Sequence, residues 1–174
     1  MKNMAAVLVG LLLVLGVVSH SQAGAFQGVK VQDIKIGGGF LWNDKVNDPL
    51  DTAGGGLHAS VDFTLLPQIV LTPFYEFSRR NSTTTTLIGG EFHYNIPVGK
   101  DRGKDRRKEQ GMFYVGPGFG VADAAGATEF HINGIGGFKY NLTDRVGFFV
   151  QGKYTWAADD LLNGVTAHSG LCFR

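Results

Sequence analysis

Residues 57–65 read Leu57-His58-Ala59-Ser60-Val61-Asp62-Phe63-Thr64-Leu65. Every odd position is apolar and every even one is polar, ionisable or small. Successive side chains of a strand point to opposite faces, so this period of two marks a strand with one apolar and one polar side. Pro67 ends the run, and the pattern resumes over residues 69–78. There Ile69, Leu71, Pro73, Tyr75 and Phe77 oppose Val70, Thr72, Phe74, Glu76 and Ser78. Pro73 cannot donate to a ladder and weakens this strand.

Working outward, the same alternation recurs at 86–96, 113–121, 130–142, 145–156 and 165–174. The first strand, 29–42, breaks phase: Ile34, Ile36, Phe40 and Trp42 share a face, whereas Val29 and Val31 fall on the other. A bulge near Gln32-Asp33 restores it. The expectation is an all-β fold of eight antiparallel strands in an up-and-down meander. Residues 43–54, 79–85, 122–129 and 157–164 join the strands at one end, and 66–68, 97–110 and 143–144 at the other. Strands of about ten residues are what a tilted strand needs to cross a bilayer.

Residues 1–25 stand apart. Lys2 precedes an uncharged apolar run over 5–18, a polar stretch, and small residues Ala23-Gly24-Ala25. This is the form of a secretory signal peptide, cleaved after Ala25 or after Ala23, and its apolar run is shorter than the roughly 20 residues of a spanning helix. Residues 26–174 form the one remaining domain. Of 174 residues 26 are glycine, about twice average usage, without the period of collagen. The net charge of +1 gives no global bias toward nucleic acid, and the single cysteine, Cys172, excludes a disulfide framework.

Which face turns inward decides between a membrane barrel and a soluble lipocalin-like barrel or sandwich. The apolar face carries long aromatic and branched side chains on nearly every strand, too many for the narrow interior of eight strands. The opposite face mixes Gly37, Gly39, Gly89, Gly116, Gly118, Gly120 and Gly137 with a few long polar groups. Glycine there makes room for a large neighbour. The polar face is therefore predicted inside, with Lys35, Asp62, Glu76, Glu91, Lys139, Lys153, Arg174, His58, His93, His131 and His168 lining the lumen. Unpaired, such groups would cost several kcal/mol each, so a network of ion pairs is expected. Aromatic residues that end the apolar face (Trp42, Phe63, Phe77, Tyr94, Tyr140, Trp156 and Phe173) suit the girdles of a transmembrane barrel.

Three segments resemble the family of small outer-membrane β-barrels that contains OmpX-like, OmpW-like and opacity-type proteins. Residues 113–120, Phe-Tyr-Val-Gly-Pro-Gly-Phe-Gly, are similar to its aromatic-glycine strand. Residues 141–154 resemble the hairpin that follows, and residues 169–174 the closing strand. The resemblance covers 26–174 and implies a eight-stranded transmembrane barrel in a bacterial outer membrane with its N-terminus periplasmic. It also implies outer-membrane lipid, lipopolysaccharide and the barrel assembly machinery as partners. Family members usually close on an aromatic residue, whereas here Arg174 follows Phe173.

Sequence motifs for chemistry are weak. Residues 116–120 lack the strand-to-helix setting and the Lys-Ser/Thr ending of a nucleotide loop. Residues 100–109 hold six basic and three acidic groups, a solvated turn or a contact for anionic lipid or peptidoglycan, with no interleaved aromatic for nucleic acid. The Asn81-Ser82-Thr83 and Asn141-Leu142-Thr143 sequons suit turns. Lipid A deacylase barrels place a His and a Ser two residues apart. Here His131-Ile132-Asn133, with Glu91 or Glu129, puts Asn where a nucleophile is needed, and the neighbours His168 and Ser169 point to opposite faces. The histidines are not read as metal ligands, since none shares a short ligand spacing with a second strong ligand. The expectation is no catalytic, cofactor or metal residue and no cofactor. The function expected is that of a structural, surface-interaction barrel with a filled lumen, presenting 43–54, 79–85, 122–129 and 157–164 to a ligand. A lipid A or phospholipid hydrolase and a narrow solute channel are the alternatives.

Overall fold

A computed structural model describes residues 29–43, 53–80, 83–98, 111–124, 126–157 and 163–174. The proposed signal peptide lies outside them. Among the described residues all eight elements are strands: β1 (Lys30–Asn43), β2 (Ala53–Leu66), β3 (Ile69–Arg80), β4 (Thr83–Val98), β5 (Gly111–Ala124), β6 (Ala127–Asn141), β7 (Val146–Ala157) and β8 (Gly164–Phe173). They pair in chain order as an antiparallel meander, and β8 returns to β1 to close the barrel. Ile34 faces Val61 across one seam and Phe173 across the other. Closure leaves no open sheet edge.

The bulge is present. The β1–β2 register shifts between Val31 and Asp33, which turns Asp33 inward, fully buried. The turn over 142–145 is built by Thr143, whose hydroxyl accepts from the backbone N–H groups of Arg145 (3.2 Å) and Val146 (3.0 Å).

The connections at the end opposite the N-terminus are shorter than the sequence implies. Residues 79–80 and 83–85 belong to the ladder, with Arg79 opposite Thr84, because the β-branched run Thr83–Thr86 favours extended backbone. Likewise β5 and β6 continue to the pair Ala124 and Ala127, and Gly126 takes a positive φ of 86° in their turn. The segments 43–54, 79–85, 122–129 and 157–164 thus contract to 44–52, 81–82, 125–126 and 158–163.

The sheet is inside out relative to a soluble barrel. Phe40 is 74% exposed and Leu57 65%, whereas Glu91 is fully buried. Trp42, Phe77 and Trp156 ring one end of the outer face, and Tyr94, Tyr140 and Phe173 the other. Phe63 departs from the girdle; it is covered between its register partners Val31 and Leu71. The lumen also holds apolar groups. Phe74, Leu87, Ala122 and Ala124 form a cluster, and Phe149 and Ile135 are buried as well.

Glycines set the space for these side chains. A Cβ on Gly118 would meet Asn133 Oδ1 at 2.5 Å and Glu91 Cγ at 2.7 Å, and one on Gly89 would meet the Phe74 ring at 2.9 Å. On Gly137 it would strike Tyr114.

Candidate functional site in the barrel lumen

Period-two alternation sends the polar residues of all eight strands to one side, and closure makes that side the interior. All the predicted inward charges are there. Asp33, which the sequence phase left at the bulge, joins them. Four acids (Asp33, Asp62, Glu76, Glu91) then face four bases (Lys35, Lys139, Lys153, Arg174), and only Arg174 is partly open to solvent.

These groups form one connected path. Arg174 Nε donates to Asp33 Oδ1 at 3.1 Å, and Lys139 donates to Asp33 as well. Lys139 approaches Asp62 at 3.7 Å, and Lys35 pairs with Asp62 at 3.0 Å. The Thr72 hydroxyl joins Asp62 (2.9 Å) to His93 Nδ1 (3.2 Å), and His93 Nε2 bonds Glu91 at 3.0 Å. Lys153 bridges Glu91 (3.3 Å) and Glu76. His58 Nδ1 lies 3.1 Å from Glu76 Oε1, and His58 Nε2 lies 3.0 Å from Ser60 Oγ. Aromatic rings pack the cations: Lys153 Nζ sits 3.9 Å over the centre of Phe74, and Lys35 Nζ 4.6 Å over that of Tyr114. The Tyr114 hydroxyl donates to Gln151 at 3.1 Å.

The wall made by β6, β7 and β8 is different. Among the described residues, both ring nitrogens of His131, the Asn133 amide, Thr155 Oγ1 and His168 Nδ1 are buried without a hydrogen-bond partner. Thr155 and His168 line a cavity of about 20 Å³ together with Glu76, Ser78, Thr85 and Thr166.

His131 and Asn133 point into the lumen, and Gly118 lies against both Asn133 and Glu91. No hydroxyl of the described residues bonds His131, so no nucleophile–base pair forms there; the hydroxyl–imidazole–carboxylate chain of the lumen is instead Ser60–His58–Glu76, which the sequence reading did not single out. His168 faces inward and Ser169 outward, as strand parity requires. Gly134 and Gly136 lie on the outer face, and the registers of β5–β6 and β6–β7 run past them unbroken. Cys172 is a free buried thiol.

No family profile and no curated protein matches the sequence. Solved structures do match the fold. Neisserial surface protein A (NspA) superposes with a TM-score of 0.60 at 13% identity, over 84% of this chain and 96% of that one. The chain has the fold of the small transmembrane β-barrels. Ail, the attachment invasion locus protein of Yersinia pestis, gives 0.54 at 12% identity over 84% and 97% of the two chains. A de novo designed transmembrane β-barrel gives 0.51 at 13% identity over 84% and 94%. In such a barrel the exposed apolar band is the lipid face, and the girdle aromatics mark its two interfaces.

Proposed function

We propose that this barrel is an integral protein of a bacterial outer membrane that acts through its surface rather than through catalysis or open diffusion. The N-terminus and the connections 67–68, 99–110 and 142–145 would then be periplasmic, and 44–52, 81–82, 125–126 and 158–163 would meet the outside. The observation that carries this reading is the lumen: four acids and four bases, packed with Phe74, Phe149 and Tyr114, occupy the space that a pore or substrate would need. The surface end is acidic. Asp44, Asp48, Asp51, Asp123, Glu129, Asp159 and Asp160 outnumber Lys45, Arg79 and Arg80. Contact with the phosphates of lipopolysaccharide would therefore run through divalent cations, whereas the basic segment 100–109 suits the other side.

Single-cysteine labelling tests the topology and the surface role together. With Cys172 buried, Asn47→Cys should react with a membrane-impermeant maleimide on intact cells, and Gly103→Cys only after the outer membrane is opened. The purified barrel should bind lipopolysaccharide in magnesium and release it in chelator. Labelling of Gly103→Cys alone on intact cells, or release of lipid A or phospholipid products by the pure barrel, would overturn the reading.

A further inference from the structure

At the surface-side end of the ion network, donors from three different strands meet. His58 on β2, Glu76 on β3 and His168 on β8 each offer a ligand atom, and these atoms all lie within 4.8 Å of one another. We infer that His58, Glu76 and His168 form a binding site for a first-row transition-metal dication inside the barrel.

Two imidazoles and a carboxylate are the donor set that zinc and its neighbours select. Glu76 Oε1 stands 3.1 Å from His58 Nδ1 and 4.0 Å from His168 Nδ1. Donors of a tetrahedral zinc sit roughly 3.4 Å apart, so small side-chain rotations bring all three onto a common centre. His168 Nδ1 is the telling atom. It is buried, has no hydrogen-bond partner among the described residues, and its side chain borders the cavity of about 20 Å³ that Glu76 also lines. That volume holds about one water or ion, and Thr155 Oγ1, equally unpartnered, lines the same space.

The surroundings are those of a metal ligand set. A ligating histidine almost always bonds its second ring nitrogen to an outer partner that fixes its orientation. His58 does so through Nε2 and Ser60 Oγ at 3.0 Å. Charge also fits. Around Lys153 two buried carboxylates, Glu76 and Glu91, share one ammonium. With neutral imidazoles this leaves one negative charge over. Lys153 is the competitor, since it donates to Glu76; its contact with Glu91 gives it a second carboxylate to hold when a metal takes Glu76.

The test uses tag-free barrel refolded in detergent micelles, stripped with chelator, and titrated with zinc by calorimetry and with cobalt by visible absorption. One saturable site per barrel is expected, with ligand-field bands of a nitrogen- and oxygen-bound cobalt. His168→Ala and Glu76→Gln should each weaken binding at least about tenfold, the loss that even an outer partner of a metal site causes. His131→Ala should leave it unchanged, and Lys153→Met should strengthen it. In the parent barrel, zinc should shift the ring resonances of His58 and His168 and spare those of His131, a readout that needs no variant to fold. Absence of a saturable one-to-one site, binding that survives His168→Ala unchanged, or shifts confined to other histidines would overturn the inference.

Discussion

Replacing Lys153 by Met is the sharpest test of the lumen network. The side chain is buried and its ammonium holds both Glu76 and Glu91, which are 2% and 0% exposed. Removing one partner of a buried pair leaves an uncompensated charge and costs about 3–5 kcal/mol. Loss of the cation from the face of Phe74, 3.9 Å away, adds about 1–2 kcal/mol. Methionine returns a similar amount by filling the same volume with apolar atoms. The net expectation is a destabilisation of about 3–5 kcal/mol in reversible urea unfolding from lipid vesicles. Trp42 and Trp156, both exposed on the outer face, report the transition by fluorescence as they leave the lipid interface. The double variant Lys153→Met/Glu76→Gln removes one of the stranded charges and should recover about 2 kcal/mol, a coupling typical of residues in one network. A Lys153→Met barrel within about 1 kcal/mol of the parent, or strictly additive single changes, would refute the ion-pair account of the lumen.

Phe92 lies exposed near the middle of the lipid face, so Phe92→Arg should destabilise the inserted barrel by about 2–4 kcal/mol in the same unfolding assay. Gly118→Leu should cost about 1–3 kcal/mol or block folding, because its side chain drives into Asn133 and Glu91. Gly152→Ala, with nothing within 4 Å of the new methyl, should stay within about 0.5 kcal/mol of the parent. Reconstituted in planar bilayers, the barrel should show no large, weakly selective conductance; open-pore steps would contradict the filled interior.

Alternation carried the fold because strand parity is local. Residues 57–65 already say which side chains share a face, and the glycines opposite the aromatics say which face is crowded. The interior charges on β2 to β8 were therefore legible one strand at a time. Asp33 was not, since its direction depends on where one extra residue sits in β1, and parity there is undefined until the partner strand fixes it. Loop lengths were overestimated because Thr83–Thr86 and Ala122–Ala124 carry no alternation to follow, although they pair with full regularity. The meeting of His58, Glu76 and His168 was invisible for another reason. Ligand spacing along a chain finds donors on one element, whereas His58 and Glu76 are register partners across β2 and β3, and His168, 92 positions beyond Glu76, joins them only when β8 closes on β1. The unpartnered atoms of His131, Asn133 and His168 are likewise a product of the closed geometry, with no counterpart in composition.

The contact between Asp33 and Arg174 reaches from the first strand to the residue after the last. Lys139, on β6, shares the same carboxylate across the interior. Until β8 docks on β1, Asp33 therefore lacks one cation and stands on an open sheet edge. A half-finished sheet entering hydrocarbon would carry bare ions as well as bare backbone, and each would hold it back. The last ion pair of Asp33 and the closure of β8 on β1 thus come together, so this pair favours lipid for a sheet whose two ends have already met.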